Sequence, residues 1–225
     1  MTVLIMLNLI APMGWRIGLL RIEDVAIGAG IAVVVSLLLW PRGATALVYA
    51  AIDAALDVGS RYLRAAVLRI TRGSAEETNS VVTTLGYQAL AASRTVDDAV
   101  RHFLSETGGE ADVRTPVVRS ANRAIRLRGA ADIIADITAP QHVSEYPRAR
   151  AVLEAHAESV SERLIGVSAK TWPPVSDEFV LALRAECTGG EAAVDSALPL
   201  VAVTANLGEL ELIYPTSTDT SGVPS

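Results

Sequence analysis

Three arginines on one predicted helix are the residues whose type and spacing best suit a chemical role. Arg119, Arg123 and Arg126 lie at positions i, i+4 and i+7, so on a helix they share one face. No acidic residue occurs between Val113 and Ala131, where two further arginines lie. A guanidinium group binds carboxylates and phosphates through paired hydrogen bonds. The spacing therefore predicts contact with anionic lipid headgroups or with an organic-acid substrate.

A second interpretation of the same arginines needs no ligand. The face would be solvated, and its charges would pair with acidic neighbours such as Glu154, Glu158 and Glu162. Ion pairs between exposed side chains are common in proteins and contribute little to stability. The sequence leaves both interpretations open.

Signatures of enzymes and metal sites are absent from the sequence. It has no glycine-rich phosphate loop and no nucleophile elbow. The single cysteine and the three histidines, His102, His142 and His156, are too scattered for metal-ligand spacing. The sequence therefore predicts no enzyme, no cofactor and no metal, and the histidines are interpreted as surface or structural residues.

Charge is distributed unevenly along the chain. The formal net charge is -6, and residues 1–43 hold only three of the 19 basic and two of the 25 acidic residues. The remainder therefore carries a net charge of -7. Nucleic-acid binding needs a basic surface that neutralises phosphates, so no nucleic-acid partner is expected.

An uncharged apolar segment precedes Trp40. The 16 residues from Val25 to Trp40 carry no charge and would extend about 24 Å as a helix. With its flanking residues, the segment predicts a transmembrane helix over about residues 22–40. Trp40 suits the interface, and Pro41 ends or kinks the helix. The alternative is a helix buried in a globular core.

Residues 2–11 form a second apolar run that is too short to span a bilayer as a helix. We expect a partial helix whose first half is missing, an interfacial segment or a re-entrant segment, so the chain is expected to be a fragment of a longer protein. Arginines are more numerous after residue 40 than before residue 22, which predicts an inner-membrane protein with a cytoplasmic C-terminal region.

The membrane segment carries a motif known from a transporter family. Arg21, Asp24 and Gly28, followed by an apolar run to Trp40 and Pro41, resemble the fusaric-acid-resistance-like (FUSC) family, relatives of aromatic acid exporters. The resemblance implies an integral membrane protein that exports small organic acids. Because one helix cannot enclose a transport pathway, further transmembrane helices would come from a homo-oligomer or from a partner subunit.

Four residues of this segment are candidates for transport or packing. Arg21 and Asp24 lie three apart, so on a helix they can pair and line a solute path, or they can simply set the depth of the helix at the interface. Gly28 and Ala32 lie four apart, a spacing of small residues that permits close helix packing or arises by chance in a lipid-facing helix.

The rest of the chain predicts an antiparallel bundle of helices over residues 44–213. Apolar positions recur at helical spacing, and no strand-like alternation persists. The predicted helices cover residues 44–72, about 80–105, 115 to before Pro140, about 147–168, a short helix capped by Ser176, and about 192–213. The last is expected to be a buried bundle helix, and the polar tail at 214–225 is expected to be disordered.

These features favour two functions. The first is a FUSC-like exporter component that contacts membrane lipid and needs further transmembrane helices. The alternative is a single-anchor membrane protein whose cytoplasmic bundle binds protein partners.

Overall fold

The computed structural model describes residues 25–29, 44–106, 111–139, 145–166, 174–187 and 191–213. Contacts between Cα atoms divide the chain into two compact units, residues 1–43 and 44–225, and each is described by itself. All regular secondary structure in these described ranges is helical, which confirms the all-α prediction. The helices of the second unit are α1 (Ala44–Arg72), α2 (Glu76–Glu106), α3 (Ala111–Asp136), α4 (Pro147–Leu164), α5 (Val175–Glu186) and α6 (Glu191–Ile213).

In the first unit, residues 25–29 form a helical stretch with exposed side chains. Gly28 lies in this stretch, and a Cβ atom added to it would meet nothing within 4 Å. Residues 2–11, the rest of the predicted span at about 22–40, and Arg21, Asp24 and Ala32 lie outside the described residues. Among the helices that the structure describes, none has both the length and the apolar character needed to cross a bilayer. The membrane segment stays a prediction.

Helix α1 is the central element of the second unit, because it packs against α2, α3, α4 and α6. Its predicted bounds are confirmed. Apolar residues that recur at helical spacing form its buried stripe: Ile52, Leu56, Leu63, Val67 and Ile70. Gly73 follows with φ 96°, the left-handed conformation that a glycine adopts without strain at the end of a helix.

Helices α1 and α4 are antiparallel. Arg72 at the end of α1 pairs with Glu154 at 2.7 Å, and Arg64, about two turns earlier, pairs with Glu158 at 2.8 Å. The buried Arg150 of α4 donates hydrogen bonds to two carbonyl oxygens in the last turn of α1. No intrahelical donor reaches those carbonyls, so Arg150 supplies the donors that the end of α1 lacks.

Helices α1 and α3 run parallel, since the contacts between them advance in the same direction along both helices. A Cβ atom added to Gly59 of α1 would lie 2.9 Å from the Leu127 side chain of α3, so the two backbones approach closely here. Arg69 donates hydrogen bonds to the carbonyl oxygens of Ala135 and Ile137, at the end of α3. The bundle therefore contains a parallel pair, α1 and α3, as well as antiparallel pairs such as α1 and α4.

Glutamates from other helices cap two helix N-termini. The predicted cap of α5 at Ser176 is wrong, since the helix begins at Val175, after Pro174. The Val175 N–H donates to Glu211 of α6 at 3.1 Å, which supplies the acceptor. Glu186 of α5 likewise accepts two hydrogen bonds, at 2.8 and 3.1 Å, from backbone N–H groups in the first turn of α4.

Three other predicted boundaries differ from the structure. Helix α3 begins at Ala111 rather than at Thr115, and Pro116 lies inside it, where the proline removes one hydrogen bond of the helix. Helix α4 ends at Leu164 rather than near residue 168, and Gly166 follows with φ 76°. Helix α2 begins four residues before the predicted start, at Glu76.

Helix α6 was expected to be buried, and this prediction is only half right. One face is buried and contains Leu200, Val203, Leu207 and Leu210. The opposite face exposes Leu198, Val201 and Leu212. A short apolar sequence does not show how many of its faces will find a neighbour, which is why the sequence did not reveal this exposure.

Candidate functional site

The predicted arginine face of α3 lines an open cleft of about 810 Å³. We call it the cationic cleft and define it by the residues that line it: Arg114, Thr115, Val118, Arg119, Asn122, Arg123, Arg126, Glu209 and Leu212. Seven of them belong to α3 and two to α6. The three arginines predicted to act together therefore lie in one site, joined by Arg114.

The register of α3 keeps these arginines out of the core. Its inward face consists of small and aliphatic residues that are almost fully buried: Val117, Ala121, Ala124, Leu127, Ala131 and Ile134. These residues recur every three or four positions, as one face of a helix requires. The arginines occupy the remaining positions and project from the outer side, where water solvates their guanidinium groups at little cost.

The acidic residues proposed to neutralise this face are engaged elsewhere. Glu154 pairs with Arg72 and accepts a hydrogen bond from Thr71 at 2.6 Å, while Glu158 pairs with Arg64. Their helix, α4, also carries Glu162, and α4 does not pack against α3 in the described part of the chain. The interpretation that these glutamates pair with the arginines is therefore wrong.

The charge of the cationic cleft is uncompensated to a large extent. Within the described ranges, no carboxylate lies within ion-pair distance of Arg114, Arg119 or Arg126. Glu209 is the single acidic residue among those that line the cleft. Even when Arg123 is left aside, three guanidinium groups and one carboxylate leave an excess of positive charge in the cleft of a chain whose net charge is -6. The electrostatics of this cleft favour an anion.

The composition of the cleft suits an anion that has an apolar part. The hydroxyl of Thr115 and the amide of Asn122 can complement the guanidinium donors, while Val118 and Leu212 offer apolar surface. Small-molecule sites typically occupy about 300–1,000 Å³ and combine apolar walls with a few polar groups. An organic carboxylate or a phosphate ester matches this combination.

A second cluster of ionisable residues is buried and closed. The His156 side chain has no exposed surface, and it joins Glu178 of α5 at 2.9 Å and Glu211 of α6 at 3.1 Å. Arg163 lies 3.8 Å from Glu211. Burial alone would lower the pKa of His156, but its hydrogen bonds to the two carboxylates outweigh that effect and raise the pKa above its ordinary value.

The His156 cluster holds α4, α5 and α6 together rather than presenting a site. Neither ring nitrogen is available to a ligand, because each one faces a carboxylate. The interpretation of His156 as a structural residue agrees with this position. Its partners lie 22 and 55 residues away in the sequence, so no local pattern could have identified them.

Other candidate features of the second unit lack the geometry of a site. Cys187 is exposed. No group of three or more histidine, cysteine or carboxylate side chains in the described residues is arranged to hold a metal ion.

No family model, curated protein or solved structure matches the chain.

Proposed function

We propose that this chain is an integral component of a cell-membrane exporter of small organic acids, in which the cationic cleft binds the acid on the cytoplasmic side. The observation that carries this proposal is an open cleft lined by four arginines, of which Arg114, Arg119 and Arg126 have no carboxylate within ion-pair distance in the described residues. Guanidinium groups bind carboxylates with paired hydrogen bonds, and the neighbouring apolar residues suit an aromatic or aliphatic body.

The apolar segment before Trp40 supports the membrane part of the proposal. The uncharged run from Val25 to Trp40 suits a membrane helix, and its flanking residues resemble the FUSC family. A single helix cannot enclose a path for a solute, so the proposed exporter assembles with further transmembrane helices. Those helices would come from other copies of the chain or from a partner subunit.

The alternative is a single-anchor membrane protein whose bundle binds protein partners. One observation favours it: the outer face of α6 exposes apolar side chains, with Leu198 at 58% and Leu212 at 82% of their accessible surface. Contiguous exposed apolar surface often marks a contact with another molecule. The alternative does not account for the arginines, so the exporter is preferred.

Binding of an aromatic carboxylate tests the proposal. The full-length chain, reconstituted in nanodiscs of zwitterionic lipid, is titrated with benzoate and with the neutral isostere benzamide by calorimetry. We expect benzoate to bind and benzamide not to bind. The double variant Arg119→Ala, Arg126→Ala should weaken benzoate binding at least about tenfold, which corresponds to ~1.4 kcal/mol.

The double variant Arg94→Ala, Arg101→Ala is the matched control, since both are exposed arginines on α2, a helix that contributes nothing to the cleft. This variant removes the same charge from the chain and should leave benzoate affinity unchanged. Equal losses of benzoate affinity in both variants would show that only the net charge of the chain matters. Equal affinities for benzoate and benzamide would refute recognition of the carboxylate.

A further inference from the structure

Helix α6 has apolar side chains on both of its faces. Its inner face packs into the core through Leu200, Val203 and Leu207. An outer face on a helix at the surface is normally polar, as the row of Asp53, Asp57 and Arg61 on α1 illustrates. The outer face of α6 departs from that rule.

The exposed apolar residues of α6 form one stripe. Leu198, Val201, Ala205 and Leu212 recur at helical spacing on the side opposite the core, and all four are exposed. Glu209 lies on the same side of α6 and is the acidic residue that interrupts the stripe. Isolated apolar side chains on a surface need no explanation, but a stripe along about four turns of one helix does.

The stripe continues into the cationic cleft. Leu212 belongs to both, because it lies on the outer face of α6 and lines the cleft with the arginines of α3. On the α3 side, Val118 and Ile125 are exposed between the arginines, at 38% and 43%. Two adjacent helices therefore present apolar side chains and guanidinium groups on one continuous surface.

We propose that this α3–α6 surface docks on the anionic face of a lipid bilayer. Interfacial helices insert apolar side chains among the acyl chains and place arginines at the level of the phosphates. Charge complementarity selects this occupant: the rest of the chain is acidic, yet the exposed apolar stripe borders a cleft in which Arg114, Arg119 and Arg126 have no carboxylate partner among the described residues. An apolar partner protein would offer these three arginines no anionic group.

This inference goes beyond the proposed function, since a bundle docked on the leaflet would serve an exporter and a single-anchor protein equally well. Docking would also orient the mouth of the cleft toward the headgroups. Leu198 and Val201 contribute to the stripe but do not line the cleft, so docking and acid binding can be altered separately.

Spin labels report the docking directly. Cys187 is the only cysteine of the chain and is exposed, so Cys187→Ser provides a background for labels introduced by Leu198→Cys or Val201→Cys. Tyr87→Cys is the control, because Tyr87 is 71% exposed on α2, which does not pack against α6 in the described residues. The labelled full-length chain is reconstituted in nanodiscs with or without phosphatidylglycerol, and collisions with oxygen and with a water-soluble nickel chelate are measured.

In anionic nanodiscs we expect labels at 198 and 201 to gain oxygen collisions and to lose roughly threefold in nickel collisions, whereas the label at 87 stays exposed. Adding Arg119→Glu and Arg126→Glu should abolish the change, and adding Arg94→Glu and Arg101→Glu, which change the net charge equally, should not. Unchanged accessibility at 198 and 201 would overturn the docking. Dipolar broadening between the labels, independent of lipid charge, would instead identify a second copy of the chain as the occupant and would equally overturn it.

Benzoate binding in zwitterionic nanodiscs, where no anionic lipid competes for the arginines, separates the two proposals. Leu198→Ser with Val201→Ser should release the surface from the lipid and leave benzoate affinity unchanged. Failure of docking with intact benzoate binding would overturn only the bilayer proposal, and the reverse result would overturn only the acid-binding site.

Discussion

Two glutamates on α6, two residues apart, have opposite surroundings. Glu211 is largely buried and meets His156, the Val175 N–H and, at 3.8 Å, Arg163. Glu209 lines the open cationic cleft, where arginines outnumber it. In the buried cluster the charged groups contact one another. In the cleft most of the guanidinium charge is solvated by water. The first arrangement is typical of a structural element and the second of a binding site.

Desolvation explains why the two regions differ. Removing a charge from water costs several kcal/mol unless a partner and hydrogen bonds compensate. A buried group therefore survives only in a complete network such as that of His156. A guanidinium at the surface keeps its hydration, so an unpaired arginine in the cleft costs little and remains available to an anion.

The largest expected effect comes from removing the centre of the buried cluster. His156→Leu keeps a similar volume but leaves Glu211 buried without its histidine. Because an uncompensated buried charge is costly, we expect the free energy of unfolding to fall by about 3 kcal/mol. Urea unfolding followed by circular dichroism measures the loss.

Arg119→Ala in the cationic cleft is the matched comparison. It also removes a cation, but one that is exposed and has no carboxylate partner among the described residues. The free energy of unfolding should stay within about 0.5 kcal/mol of the wild-type value. If His156→Leu and Arg119→Ala lowered the free energy of unfolding equally, the distinction between the buried charge that stabilises the fold and the exposed charge that can bind an anion would be wrong.

A smaller effect is expected from pH, through the protonation of His156. Each ring nitrogen faces a carboxylate, and only the protonated imidazole can donate to both. Because the two carboxylates raise the pKa of His156 in the folded chain, its protonation stabilises the fold fully below the ordinary value of about 6.5. That stability is lost as the pH rises through the raised pKa.

Thermal unfolding between about pH 6 and pH 9 checks this dependence, since the window brackets the ordinary histidine pKa. The difference in Tm between the wild type and His156→Leu should shrink as the pH rises. A constant difference across the range would mean that a neutral histidine holds the three helices equally well. The Arg119→Ala variant should follow the wild type at every pH.

Local sequence spacing predicted one wall of the cleft and most of the helices. The arginines of α3 share a face because they lie at i, i+4 and i+7, and the structure places Arg119, Arg123 and Arg126 together. The buried stripe of α1 followed from the same periodicity. Such features depend only on the geometry of one helix, which the sequence encodes within a few residues.

Features that join distant helices could not be predicted in this way. Glu209 and Leu212 reach the cleft because α6 packs beside α3, and nothing near residues 209–212 indicates that neighbour. The N-cap of α5 comes from Glu211, 36 residues further along the chain than Val175. The tail at 214–225, predicted to be disordered, lies outside the described residues.

The smallest effect is expected for a charge pair that is exposed on both sides. Asp57 and Arg61 lie 3.4 Å apart on α1, with side chains 61% and 48% exposed, so water screens their attraction. Asp57→Asn should therefore lower the free energy of unfolding by no more than about 0.5 kcal/mol. Urea unfolding at low and at high salt measures this decrease in the free energy of unfolding. The decrease should vanish at high salt because ions screen exposed charges. A loss that approached the one for His156→Leu would show that partners, and not burial, determine how much a charge contributes to this fold.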